Sequence, residues 1–456
     1  MSVEPILGQL PADWSYTTLG EACRAGGGDV QTGPFGSQLH ASDYVEDGIP
    51  SIMPANIGDN RIVVQGIARI RESDAARLEK YRVRAGDIVY SRRGDVERRA
   101  LIRNRENGWL CGTGCLRVRL GENGHNPVFA TYYLGHPKVR QWIVRHARGA
   151  TMANLNTTIL SDCPFVIAPA DVQRSVAKVL GDLDDKVDLL RGMNRTLEAI
   201  AQEVFRAWFV DFEPVRAKAA GTIGFRGMSR DVFDVLPDSF ASSEIGELPS
   251  GWVPCVLADL IDVNPTRSLR KGSLSTYLGM SDVPTDGPTA ESWAQREFSS
   301  GMKFKNGDTL LARITPCLEN GKTALVDFLG TEEVGWGSTE YIVLAPKAAT
   351  PSEFIYCLAR NERFREFAIK NMTGTSGRQR VDHTSIAGYK MVDPGSALLK
   401  SFGEITQPIF KRIVANRNEI VTLVALRNTL LPKLISGELE APDLASLEAT
   451  AVNNGG

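Results

Sequence analysis

Two stretches of the chain repeat apolar residues at steps of three and four, while most of the remainder alternates over short runs broken by glycine, asparagine and aspartate. In the first stretch Leu180, Leu183, Val187, Leu190, Asn194, Leu197, Ala201, Val204 and Trp208 keep the step without a break. In the second, Ile409, Ile413, Asn416, Ile420, Leu423, Arg427, Leu430 and Leu434 do the same, flanked by Phe410, Val414, Val421, Val424 and Leu431. A seam of this period predicts long coiled-coil helices, and the polar Asn194 and Asn416 are of the kind that fix register at some cost in stability. Pro408 predicts a helix start or kink near Gln407. The flanking row widens the second stripe beyond a two-stranded seam, so these helices are expected to be a spacer and a docking surface. The expected docking positions are Leu183, Leu190, Asn194, Leu197, Trp208, Ile413, Asn416, Ile420, Leu423 and Leu430.

The segments before each helix are two versions of one text. Leu10-Pro11-Ala12-Asp13-Trp14 returns as Leu248-Pro249-Ser250-Gly251-Trp252, and Ala85-Gly86-Asp87-Ile88-Val89 returns as Asn306-Gly307-Asp308-Thr309-Leu310. Leu116–Leu120 answers to Glu340–Leu344, and Gly149 to Gly374, at an offset drifting between roughly 221 and 238 residues. That period is far beyond the roughly 20–50 residues of a solenoid, so a whole domain is duplicated. Each copy runs from β-like segments (Ile62-Val63-Val64, Asp87–Tyr90 and Leu116–Arg119; then Thr309–Ala312 and Tyr341–Leu344) into a helical one, Pro127–His146 or Pro351–Asn371. The predicted class is α+β: two globular domains joined by two long antiparallel coiled-coil helices in a pseudo-twofold arrangement. The expected divisions are a first domain over 1–169, a helix over 170–212, a loop-like linker over 213–247, a second domain over 248–395, a helix over 396–437 and an acidic flexible tail over 438–456.

Composition narrows the class of partner only locally. With 43% hydrophobic and 23% charged residues the chain reads as an ordinary globular protein. No run approaches the roughly 18 apolar residues of a membrane span. The seven scattered cysteines form no C-x-x-C pair and predict reduced thiols in a cytoplasmic protein. A net charge of −2 neither requires nor excludes a polyanion, but Arg69–Arg105 holds twelve Lys/Arg against six Asp/Glu. A second basic set, Arg360, Arg363, Arg365, Lys370, Arg378 and Arg380, lies in the other copy. A solvated face explains either cluster alone; both together favour a polyanion.

Catalytic signatures are missing. Asn320-Gly321-Lys322-Thr323 imitates the end of a phosphate loop, but its first glycine would fall on Pro316 and the following Ala324–Asp327 reads as strand. The five histidines show no paired metal spacing, and Cys111 with Cys115 lacks a second ligand pair. There is no G-x-S-x-G elbow, glycine-rich cofactor loop or adenine-methyltransferase tetrad. The sequence reads as a binding protein, with no catalytic residue, metal or cofactor of its own.

At this point a resemblance enters. Gly33-Pro34-Phe35-Gly36-Ser37-x-Leu39, Asp43-Tyr44 and Gly48-Ile49-Pro50 resemble the opening of a target recognition domain in the specificity subunits of type I restriction–modification systems. Ala312–Lys322, Gly337–Glu340 and Gly374–Val381 fit a second such domain. Trp208–Pro214 and Leu431–Leu439 resemble the ends of that family's two helical regions, and Ala168–Gln173 departs from its usual helix entry. The resemblance implies that each domain reads one half of a split duplex DNA target. The helices would set the gap and bind two methyltransferase subunits, and restriction subunits would join them. S-adenosylmethionine, ATP and Mg²⁺ would belong to those partners. The alternative is a non-enzymatic coiled-coil scaffold that binds proteins rather than DNA.

Base readout uses Arg for guanine and Asn or Gln for adenine. The first copy offers Ser37, Gln38, Arg92, Arg93, Arg98, Arg99, Thr151, Asn154 and Asn156; the second offers Arg313, Lys322, Ser376, Arg378, Gln379 and Arg380. For each, a turn residue or surface charge is the plain alternative. If the helices act as a ruler, deleting four residues from each removes about 6 Å and changes the preferred gap by roughly two base pairs. Methylome sequencing that returned an unchanged gap would reject the ruler.

Overall fold

The computed structural model describes residues 3–122, 125–149, 153–347, 349–375 and 377–441. It divides into two compact units, residues 1–185 with 424–456 and residues 186–423. The duplication is legible in their topology. In the first unit Asp29–Thr32, Cys115–Arg119, Ile88–Ser91 and Arg99–Leu101 lie side by side as one antiparallel sheet. In the second, Ile261–Val263, Tyr341–Pro346, Thr309–Ala312 and Thr323–Leu325 take the same order. Each unit adds a second four-stranded sheet with one parallel pair, Ile49–Ile52 with Leu110–Cys111 or Leu274–Leu278 with Gly335–Gly337. Each also pairs the strand after the repeated tryptophan with a late strand: Ser15–Thr18 with Pro164–Ile167, and Pro254–Val256 with Lys390–Val392.

Local chemistry explains why the repeated words fold alike. Gly86 and Gly307 turn at φ +92° and +91°, a region that favours glycine. The following aspartate caps that turn. Asp87 accepts from Arg84 N and Asp308 from Lys305 N, each at 2.7 Å. Both carboxylates are buried and paired with arginine, Asp87 with Arg119 and Asp308 with Arg267. Gly149 and Gly374 likewise share φ of +121° and +124°.

The first long helix covers Ala170–Phe209 and the second Ser396–Ser436. In the second unit their seams meet antiparallel. Asn416 Nδ2 donates to Asn194 Oδ1 at 2.8 Å, and Trp208 and Phe205 pack on Phe402. In the first unit Arg427 reaches Asp184, and Leu180 shares a core with Leu431, Leu434 and Ile435.

Several expectations need correction. Pro408 does not start the second helix but sits inside it, because the packed seam outweighs the one amide donor that proline lacks. The helical stretch expected over Pro127–His146 is two helices, Pro127–Leu134 and Pro137–His146, broken at Gly135-His136. Its counterpart is also two, Ser352–Arg360 and Glu362–Lys370, separated by Asn361. Ile62-Val63-Val64 forms no strand beyond a single bridge at Ile62, and both valines are exposed in a turn region. The loop-like stretch carries helices Glu213–Ala219 and Arg230–Val235 and a hairpin, Phe240–Ser243 with Gly246–Pro249. Its Phe212, Val215, Phe233 and Leu236 are buried in the core of the second unit, which draws that segment into structure.

Candidate nucleic-acid interface

In the first unit the hairpin loop after Ile88–Ser91 is stitched to the segment after Gly149. Arg92 N donates to Gly114 O at 2.8 Å, and Arg92 O accepts from Leu155 N at 2.9 Å. Gly94 N donates to Ala153 O, while Asn154 exchanges backbone hydrogen bonds with Arg148 at 3.0 and 2.7 Å. Arg92, Arg93, Arg148 and Asn154 are thereby gathered at one place. The exposed Phe35 joins them, with the Arg92 guanidinium 5.9 Å from its ring centre.

The second unit builds the same junction from its own words. Arg313 O accepts from Val381 N at 2.9 Å, and Thr315 N donates to Gln379 O at 3.0 Å. Arg313, Arg378, Gln379 and Arg380 therefore come together, although they lie on segments far apart in the chain. Arg380 grips Glu340 with Nε and Nη2, at 2.9 Å to Oε2 and 2.7 Å to Oε1, and this contact holds the Glu340 carboxyl below the usual range. Asp382, held low chiefly by the Thr384 hydroxyl and amide, stands 3.8 Å from Arg313 Nη2.

Three buried polar atoms at these junctions have no hydrogen-bond partner among the described residues: Arg92 Nε, Asn154 Oδ1 and Arg313 Nε. Arg92 and Arg313 stand at equivalent strand ends and both keep a free Nε among the described residues, as Arg117, Arg365 and Arg417 do elsewhere in the fold. Exposed Arg93 and Arg378 have side chains that form no hydrogen bond or ion pair among the described residues.

Other candidates are committed to the fold. Arg99 is buried, and its Nε donates to Thr131 O at 2.7 Å. A Cβ on Gly135 would fall 1.7 Å from Arg99 Nη2, so glycine makes the room for this guanidinium. Arg99 is thus corrected from an interface residue to a core one. Gln38 Oε1 accepts from Phe35 N and the Tyr81 hydroxyl, at 3.1 and 2.9 Å. Asn156 caps the helix Thr157–Ser161 through Ile159 N. The Lys322 ammonium donates to Met280 O at 2.5 Å and holds that loop. Arg98 forms a surface pair with Asp95, and Ser37 is exposed beside Phe35. Thr151 and Ser376 lie outside the described residues.

Of the expected docking positions, Leu190, Trp208, Ile413, Asn416 and Ile420 are buried and so are corrected to packing residues, whereas Leu183, Asn194, Leu197, Leu423 and Leu430 are half-buried. The exposed apolar side chains on the helices are instead Leu189, Met193, Ile200, Val421 and Leu426. Of these, sequence reasoning named only Val421, in the flanking row of the second stripe; it missed the others and also Arg148 and Phe35, although Phe35 lies inside a quoted motif. Among the described residues no group of three His, Cys, Asp or Glu is placed to hold a metal, and no helix is long and apolar enough to cross a membrane.

Residues 11–199 match the type I restriction modification DNA specificity domain. The chain is 22% identical to the MjaIX specificity subunit of Methanocaldococcus jannaschii, over 97% of each chain. It is also 22% identical to the HindI specificity subunit of Haemophilus influenzae, over 86% of this chain and 95% of that one. In fold it is similar to the specificity subunit of a Mycoplasma genitalium type I system, with a TM-score of 0.51 at 14% identity, covering 94% of this chain and 96% of the other. These likenesses favour DNA recognition and leave the protein-binding scaffold without support. Over nearly its whole length the chain is similar to specificity subunits of type I restriction–modification systems, and residues 11–199 match their DNA specificity domain, which supports a role in DNA sequence recognition.

Proposed function

We propose that the two junctions each read one half of a split duplex target, with the Arg92-Arg93-Asn154 group facing one half and the Arg313-Arg378-Gln379-Arg380 group the other. The observation that carries this reading is the equivalent backbone stitching of the two units, which gathers Arg92, Arg93 and Asn154 in one and Arg313, Arg378, Gln379 and Arg380 in the other. Arginine and asparagine are the residue types that read guanine and adenine edges in the major groove. Lysines and arginines outside the junctions would supply phosphate contacts, which position the duplex without carrying sequence information.

The chain itself carries no chemistry in this reading. Its exposed Leu189, Met193 and Ile200 would meet two methyltransferase subunits, with restriction subunits joining the assembly. S-adenosylmethionine, ATP and Mg²⁺ belong to those partners, and the assembly works in the cytoplasm beside the chromosome.

Two measurements test it. Affinity for a cognate duplex should fall steeply between about 50 and 200 mM salt, because neutralised phosphates release counterions; salt-independent binding would reject the reading. Replacing Arg378 and Arg380 together by alanine should relax discrimination in one half-site only, at about 1–3 kcal/mol for a bidentate base pairing lost from Arg378, with the Glu340 clamp lost alongside Arg380. Equal relaxation in both halves, measured by binding-site selection, would contradict the assignment.

A further inference from the structure

Phe35 is 54% exposed, yet the backbone of its loop is braced on both sides. Its loop is pinned at the front, where Gly33 N donates to Cys115 O at 2.9 Å. A Cβ on Gly33 would fall 2.1 Å from Gly112 O, so the strand end can approach only as glycine. The loop is pinned behind by Gln38, whose side chain accepts from Phe35 N and Tyr81 and whose backbone carbonyl accepts from Arg77 at 2.9 Å. Leu39 then anchors the exit in a buried cluster. A scattered exposed apolar residue needs no explanation. An exposed aromatic ring on a cross-braced turn, beside an arginine with an unsatisfied Nε, is a different case.

We propose that Phe35 stacks on a base at one step of the half-site read by the first unit, with Arg92 beside it on the same base pair or its phosphate. This rests on the DNA reading above and names a base-stacking residue that the reading does not require. Nucleobases present a π-face that an aromatic side chain can cover, and apolar wedges enter steps that are easily unstacked. A pre-braced ring loses little conformational freedom on insertion, so more of the stacking is realised as affinity. The other copy has no counterpart: Asn264-Pro265-Thr266 follows the equivalent strand, and Asn264 Oδ1 is occupied by Val343 N at 2.8 Å. The effect should therefore be confined to one half-site.

The test uses the full chain as purified with its co-purifying subunits and a duplex carrying 2-aminopurine at successive positions of each half-site. With the unaltered chain, fluorescence should rise at one position in one half. Phe35→Ala should abolish that rise and weaken cognate binding on the order of tenfold or more, the scale of a single base–aromatic stack. Phe35→Trp should restore both, and Phe35→Leu should restore less than Trp. Because the ring is exposed, the melting temperature should not change. Phe35→Ala with unchanged affinity and fluorescence, or Phe35→Leu equal to the unaltered chain, would overturn the stacking role. Absence of salt-dependent DNA binding by the unaltered chain would overturn the DNA reading itself.

Discussion

Arg427→Ala should cost the first unit about 3–5 kcal/mol, the usual penalty for leaving one member of a buried pair behind. Arg427 Nη1 donates to Asp184 Oδ1 at 2.7 Å, and the Tyr132 hydroxyl donates to Asp184 Oδ2 at 2.7 Å and to Leu180 O at 2.9 Å. Asp184 is only 1% exposed with the guanidinium in place. The ion pair with exposed Asp59, at 3.3 Å, adds little by comparison. The double replacement Asp184→Asn with Arg427→Met should recover much of the stability, because it removes the stranded charge and not only its partner. Hydrogen exchange resolved over residues 1–185 measures both variants. A single-variant cost below about 1 kcal/mol would place the pair among surface ion pairs.

This network shows what the sequence could and could not convey. The heptad stepping placed Arg427 on the seam, where an apolar residue was due, so its position was visible. Its partner was not, because Asp184 lies off the seam on the other helix and Tyr132 on a helix of the recognition unit. The two long helices were legible because their period persists over many turns. The strands, mostly of two to five residues, offer no such persistence, and Val63-Val64 shows β-branched residues without a strand. The same limit applies to the interface. Sequence placed Arg92, Asn154, Arg313 and Arg380 in candidate loops, and the fold gathers them. It could not show that Arg99 turns into the core, because adjacent arginines at a strand edge face opposite sides. Nor could it show that Gln38 and Lys322 are occupied by their own loops, since backbone acceptors leave no mark in the sequence.

One buried group in each unit should contribute a pH dependence opposite in sign to the other's. In the first unit, burial lowers the His136 imidazole to about 4. Its Nδ1 must stay unprotonated to accept from Lys138 N at 3.1 Å and cap the helix Pro137–His146. The unfolded chain binds that proton near pH 6.5, so stability is full above about 6.5 and falls as pH drops toward 4, by up to about 3 kcal/mol. In the second unit, burial lifts Asp327 to about 6 despite Arg417 at 3.1 Å. Here the folded state holds the proton more tightly than the unfolded chain, whose carboxyl titrates near about 3.9. The cost is therefore absent below about pH 4 and grows to about 3 kcal/mol as pH rises past 6. Burial also raises Glu198, Glu353 and Asp308 in the second unit, which pushes the same way, while Glu340 and Asp382, held low by Arg380 and Thr384, push the other way. His136→Asn keeps a capping oxygen but removes the titration, so it should flatten the first unit's profile between about pH 4 and 7 and leave the second's alone. Asp327→Asn should do the reverse. Hydrogen exchange read separately over residues 1–185 and 186–423 gives both profiles from one sample, and a variant that ran parallel to the parent across that range would remove its group from the account. If both slopes hold, acid weakens the His136 contribution to the first unit while rising pH brings in the Asp327 cost to the second.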